Sequence, residues 1–198
     1  MLIMNRIAIF ASGSGTNAQK LMEYFSNNKT AKVRIIMSNK PDAFVLERAT
    51  KFSVPSKVFD RDDLYRNGKV LRDLADMKID YIILAGFLWL IPEEIINYFP
   101  GRIINIHPAL LPDYGGKGMY GSRVHQAVID NKEKESGISI HYVNEQYDEG
   151  DIIFQARCEV RVDDTPETLA ERIHELEYRY YPEIVEKVIL RDQNESRS

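Results

Sequence analysis

The chain has 198 residues, 44% of them hydrophobic, with 26 basic and 30 acidic side chains and a formal net charge of −4 at pH 7. That length supports one sizeable core, and a second domain of ordinary size would leave too little chain for the first. The mildly acidic balance provides no broad basic field and argues against long nucleic acid as a partner, whereas a phosphate on a small ligand needs only a few local groups. Cys158 is the one cysteine, so an intramolecular disulfide is excluded, and its strand-like neighbours make it a packed thiol. Met1 to Phe10 carries a short apolar run without a small-residue cleavage site, and no later run approaches the length of a membrane span. These features predict a cytoplasmic protein with no membrane partner, a single domain over 1–190 and a polar, frayed tail over 191–198.

Taken in chain order, Arg6 to Phe10, Val33 to Met37, Ser56 to Phe59, Tyr81 to Ala85 and Arg102 to Ile106 read as strands. Most are apolar on both faces, as in a sheet covered by helices on each side. Helical patterns at 17–28, 42–53, 61–77 and 92–98 lie between them. Asp42 is placed to cap the second, and Pro92 suits the first turn of the fourth. Such alternation predicts a parallel, right-handed βαβ arrangement. His107 to Gly121 is rich in proline and glycine and has no period, so it reads as a long loop of the kind that carries function. A helix over 122–131 follows. Ile138 to Val143 and Ile152 to Val162 then flank the turn Tyr147 to Gly150 as an antiparallel hairpin. A last helix starts with Thr165 as N-cap and Pro166 at its first position, with Leu169, Ile173, Leu176, Tyr180, Ile184 and Val188 on one face. The predicted class is α/β: a Rossmann-like, mostly parallel sheet with helices on both faces and a C-terminal antiparallel hairpin. There is no internal repeat.

Three constellations could carry chemistry. Ser12-Gly13-Ser14-Gly15-Thr16-Asn17 stands between the first strand and the first helix, where converging backbone N–H groups and the helix dipole favour an anion. Ala18 occupies the third place of the dinucleotide fingerprint and the P-loop lysine is missing, so a monophosphate fits better than a dinucleotide. A plain tight turn capped by Thr16 or Asn17 is the alternative. Asn105 and His107, two apart at a strand end, share one side, and an amide with an imidazole suits a developing oxyanion. Asp148 sits in a turn whose residues favour turns in any case; brought near His107, its carboxylate would raise the imidazole pKa and orient the ring. Periodicity does not say whether the two meet. His125, His141 and His174 form no metal-binding pair, and no cysteine cluster exists, so no metal is indicated.

These pieces, in this order, resemble the folate-dependent glycinamide ribonucleotide formyltransferases. The matching runs are Ser12 to Asn17, Ser38 to Ala43, Leu84 to Phe87, Asn105 to Pro112 and Asp148 to Gly150, and the resemblance covers about residues 5 to 190. It implies that Gly15, Thr16 and Asn17 hold the substrate phosphate, that Asn105, His107 and Asp148 form the catalytic triad, and that Glu177 binds the ribonucleotide. It also implies that Leu88, Trp89, Leu90 and Ile91 receive the pterin of 10-formyltetrahydrofolate, the co-substrate. The expected partners are these two small molecules, with no nucleic acid and no membrane; a homodimer is left open. Two departures stand out: Trp89 replaces an arginine common among relatives, and the loop over 113–123 is longer than in short bacterial members. Three other readings compete: a formyltetrahydrofolate hydrolase, a methionyl-tRNA formyltransferase and a non-catalytic Rossmann-type nucleotide-binding module. The first resembles this family with an added regulatory domain, and the second needs a further C-terminal domain.

Overall fold

A computed structural model describes residues 4–195. Seven strands form one sheet in the order β3-β2-β1-β4-β5-β6-β7. The first five, β1 (Asn5–Phe10), β2 (Ala31–Ser38), β3 (Ser56–Val58), β4 (Tyr81–Leu84) and β5 (Ile103–His107), run parallel; β6 (Glu135–Tyr142) and β7 (Ile152–Glu159) are antiparallel. This is the predicted α/β class, with the hairpin added to the β5 edge.

Alternate residues of the central strands feed two cores. Ile7, Ile9, Tyr81, Ile83, Ile104 and Ile106 pack on one face beneath α1 (Thr16–Phe25), α2 (Val45–Lys51) and α7 (Pro166–Glu195). Ala8, Phe10, Ile82, Leu84 and Ile103 pack on the other beneath α3 (Arg61–Tyr65), α4 (Lys69–Asp76) and α5 (Glu93–Tyr98). The run over α1 explains its choice of helix: Ala18, Leu21, Met22 and Phe25 recur at helical spacing and are all buried. Tyr181, wholly buried on α7, donates from its hydroxyl to the carbonyls of Leu84 at 2.7 Å and Ile104 at 3.1 Å, fastening that helix to the carboxyl ends of β4 and β5.

Several boundaries differ from expectation. The pattern over 61–77 is two helices, because Asn67 and Gly68 interrupt it; Gly68 has φ 63°, and Asn67 Oδ1 accepts from the Lys69 N–H to start the second. Asp60, not a residue within the pattern, caps α3 by accepting from Asp63 N–H at 2.8 Å. Asp42 does not cap α2, which begins at Val45 after a turn, and Pro92 precedes α5 rather than occupying its first position. β7 ends at Glu159, where Val160 N–H turns to the Lys134 carbonyl. Thr165 does cap α7: its Oγ1 accepts from Thr168 N–H while Thr168 Oγ1 accepts from Thr165 N–H. That helix continues to Glu195, well into the stretch expected to be a polar tail, because Arg191 reaches the Tyr142 hydroxyl and Tyr81 donates to Asp192. Residues 196–198 lie outside the described residues. The helix expected over 122–131 is α6 (Ser122–Asp130). Among the described residues no helix is long and apolar enough to cross a membrane.

Candidate active site

The carboxyl ends of β1, β4 and β5 open into a cleft of about 590 Å³. Its first wall is the turn after β1. Ser12 N–H donates to the Gly86 carbonyl, Ser12 Oγ donates to Asn39 Oδ1 at 2.7 Å, and Leu88 N–H donates to Ser12 Oγ at 3.0 Å, so the turn is tied to the loops after β2 and β4. Gly15 then enters α1 at φ 72°, and a Cβ there would collide with the Val45 side chain. Glycine meets both the left-handed backbone and the close approach of α2. The N-terminus of α1 has no side-chain cap and no acidic residue in its first turn. Its leading N–H groups have no intrahelical acceptor and suit an anion. Gly15, Thr16 and Asn17 all line the cleft.

Asn105 and His107 reach the cleft from β5, the last parallel strand, and both meet Asp148. Asn105 Nδ2 donates to Asp148 Oδ1 at 3.3 Å, and His107 Nδ1 lies 3.4 Å from Asp148 Oδ2. The carboxylate is held from a third side by Gly116 N–H at 3.0 Å, and Asp148 itself sits at φ 58°, a conformation Asp tolerates better than most residues. The loop over His107 to Gly121 is therefore folded back over the triad. Its first half is pinned by Ser139 of β6, whose Oγ accepts from Leu111 N–H and donates to the Ala109 carbonyl.

The electrostatics partly overturn the expectation for His107. Burial is the largest influence and sets the imidazole pKa below its ordinary value; the Asp148 carboxylate and the Tyr114 carbonyl pull upward without prevailing, and His141 adds to the depression. His107 Nε2 donates to the Tyr114 carbonyl at 2.8 Å, which leaves Nδ1 as the basic nitrogen facing the carboxylate. Burial acts to raise the Asp148 pKa, yet His141, His107 and the Gly116 N–H together hold it below the usual carboxylate value.

Sequence reading passed over three histidines. The β5–β6 register puts Asn105 opposite His141, whose Nε2 stands 3.1 Å from Asn105 Nδ2. His141 Nδ1 donates to the Tyr142 carbonyl at 2.7 Å, and its Nε2 also stands 3.6 Å from Asp148 Oδ1, so the ring sits between the amide and the carboxylate. The Asn-x-His motif on β5 pairing antiparallel with a strand containing His141 was the available signal. His125 on α6 and His174 on α7 also line the cleft. Glu177, expected to bind ribonucleotide, is 5% exposed, lines the cleft and accepts from Asn17 Nδ2 at 2.8 Å. Leu88, Trp89, Leu90 and Ile91 line it too, Leu88 exposed and Ile91 buried. Trp89 does two things at once: it packs edge-on against Phe59 and Phe87 with centroids 6.3 and 6.4 Å apart, and it carries the Arg61 guanidinium 4.9 Å above its ring at the cleft wall.

The cleft at the carboxyl edge of the parallel strands thus joins an uncapped helix N-terminus, which suits an anion, to an Asn–His–Asp cluster, which suits acid–base chemistry. Residues 5–185 match the family model described as formyl transferase. A chloroplastic phosphoribosylglycinamide formyltransferase of Arabidopsis thaliana is 40% identical over 186 residues, covering 91% of this chain and 64% of that protein. The Bacillus subtilis phosphoribosylglycinamide formyltransferase is 35% identical over 192 residues, covering 94% and 95% of the two chains. The crystal structure of phosphoribosylglycinamide formyltransferase from Bacillus halodurans superposes with a TM-score of 0.84 at 34% identity, covering 93% and 95%. The chain spans less than two thirds of the length of the plant relatives. It belongs to the formyl transferase family.

Proposed function

We propose that this chain transfers the formyl group of 10-formyltetrahydrofolate to the amine of glycinamide ribonucleotide, a step of purine biosynthesis. The observation that carries the reading is the convergence of Asn105 and His107 on the Asp148 carboxylate inside the cleft that also receives the N-terminus of α1. The ribonucleotide phosphate binds at the Gly15, Thr16 and Asn17 N–H groups, Glu177 binds the remainder of the ribonucleotide, and the Leu88 to Ile91 wall receives the pterin.

The neutral amine attacks the formyl carbon, and the carbonyl oxygen becomes an oxyanion. Asn105 exchanges its long contact with Asp148 for a hydrogen bond to that oxygen while His141 holds the amide. Developing negative charge raises the His107 pKa against the burial that depresses it, so the imidazole takes up a proton from water as the intermediate forms, Asp148 stabilises the imidazolium, and that proton returns to water as the intermediate collapses. Collapse breaks the bond between the formyl carbon and folate N10. The proton lost by the amine passes through Asp148 and water to N10, and tetrahydrofolate departs.

A hydrolase using the same three residues would release formate without needing the phosphate site. A nucleotide-binding module would need only the turn after β1. Incubation with glycinamide ribonucleotide and 10-formyltetrahydrofolate tests the reading: formylated ribonucleotide appears in step with tetrahydrofolate, and formate release independent of ribonucleotide refutes it. The remaining proposals are a cytoplasmic setting, resting on the single cysteine, and a homodimer, which sedimentation equilibrium tests.

A further inference from the structure

His125 has no part in the chemistry above, yet it is placed as a functional residue. It lies on α6, is 2% exposed, lines the cleft, and its Nδ1 has no hydrogen-bond partner. Leaving a buried polar nitrogen unpaired is destabilising unless a partner arrives to satisfy it. Val124 and Val128 on the same helix show that apolar side chains are accommodated beside it. Burial first, then His174 and His107, together drive the imidazole pKa down to about 4, which sets His125 within electrostatic reach of both.

The N-terminus of α6 opens at the same place. Gly121 precedes the helix, no side chain caps it, and its first turn carries no acidic residue; Gly121 and Arg123 line the cleft. One short stretch of α7 joins this helix end to that of α1. On it, Glu177 accepts from Asn17 of α1, Tyr178 lies 5.8 Å beneath the Lys20 ammonium of α1, and His174, which His125 feels, stacks on Tyr178 at 13°. Two uncapped helix N-termini, each carrying partial positive charge, thus line the cleft that His174 and Glu177 of α7 also line.

We infer that His125 is a phosphate-binding residue: the phosphate of the ribonucleotide lies between the N-termini of α1 and α6, with His125 and His174 as its imidazole partners. The inference rests on the reading that the cleft takes a phosphorylated ribose, and it adds the second helix and the two histidines to that site. The titratable groups that act on His125 are His174 from α7 and His107 from β5; Glu177, Lys117, Arg123, His141 and Asp148 line the same cleft. In the free protein His125 and His174 are both held below the ordinary imidazole pKa by burial. An arriving phosphate reverses that balance, so binding draws in a proton; Glu177, whose carboxyl pKa burial already raises to about 7, responds to the phosphate in the same direction.

Isothermal titration of the whole chain at neutral pH, in buffers of different ionisation enthalpy, tests this with ribose 5-phosphate and ribose as probes. Ribose 5-phosphate binds with net proton uptake, and ribose does not. In His125→Gln the ribose 5-phosphate Kd rises on the order of tenfold, while the Kd of a folate analogue stays the same. Because His125 is buried, the wild-type histidine ¹⁵N spectrum supplies a test free of folding: its ring nitrogens shift with ribose 5-phosphate and not with ribose. Unmoved His125 resonances, an unchanged Kd in the variant, or no ribose 5-phosphate binding at millimolar concentration each overturn the inference. Failure of formyl transfer with the His125 shift intact sinks only the proposed reaction. Normal formyl transfer with unmoved His125 resonances sinks only this inference.

Discussion

Glu177 offers a sharp test, because its environment predicts a pH-dependent stability that a single isosteric change removes. Burial is the dominant influence on it and pushes its pKa from 4.5 up to about 7, with the Asn17 hydrogen bond acting weakly in the other direction. An acid with a raised folded-state pKa keeps its proton longer in the native state. The native protein therefore binds more protons than the unfolded chain between those two values, and unfolding free energy falls as pH rises through them. The contribution is fully present below pH 4.5 and is lost as pH passes about 7. At roughly 1.4 kcal/mol per pH unit the displacement corresponds to about 3 kcal/mol. Glu177→Gln removes the titration and keeps an oxygen for Asn17. Urea unfolding followed by Trp89 fluorescence should place the two proteins within about 1 kcal/mol of each other at pH 5, with the variant the more stable by about 3 kcal/mol at pH 8. The same variant should bind ribonucleotide more weakly. Stability curves that run parallel from pH 5 to pH 8 would refute the reasoning, since they would show that the carboxyl is not held protonated by burial.

Three further outcomes are expected. His107→Ala and Asp148→Asn each lower kcat by at least about a hundredfold, and the double variant loses little more than either, because the pair acts as a unit; near-normal turnover in either single variant, with both substrates saturating, removes the triad assignment. Gly15→Ala destabilises the fold by about 2–4 kcal/mol through its left-handed φ and the approach of Val45, and raises the KM for ribonucleotide without moving folate affinity. Adding Val45→Ala restores little, because the Val45 Cβ and Cα still crowd the new methyl and the backbone strain remains. Folate analogues quench or shift Trp89 emission saturably, and Trp89→Ala weakens folate binding by about fivefold to tenfold, as expected for loss of about 1 kcal/mol of aromatic contact; unaltered emission with unaltered folate affinity would leave Trp89 a packing residue only.

Features that depend on neighbours in sequence were readable from it. The turn after β1 announces itself through small residues followed by an amphipathic run. Asn105 and His107 share a side because residues two apart on a strand do so, and Thr165-Pro166 marks the start of α7 through cap chemistry. The break at Asn67-Gly68 was legible as well, but the apolar periodicity on either side, with Leu64, Val70 and Leu74 all buried, disguised two helices as one. Residues 191–195 continue the helix rather than fray; a polar helix end looks like a tail until Tyr81 and Tyr142 are known to stand beneath it.

The sequence by itself determined the order of elements and the α/β class, since both are encoded by composition and spacing over a few turns, and its motif runs carried the resemblance to the family. Only the tertiary structure decided which distant groups meet. The β5–β6 register put His141 against Asn105, and the fold-back of the loop over 107–121 brought Gly116 to Asp148. The packing of α7 between α1 and α6 gathered Asn17, Glu177, His174 and His125 at one cleft. It also reversed the expected sense of the His107 pKa, because desolvation depends on how much chain surrounds a group. Strand register, burial and helix docking are properties of contacts between segments far apart in the chain, and no local pattern records them.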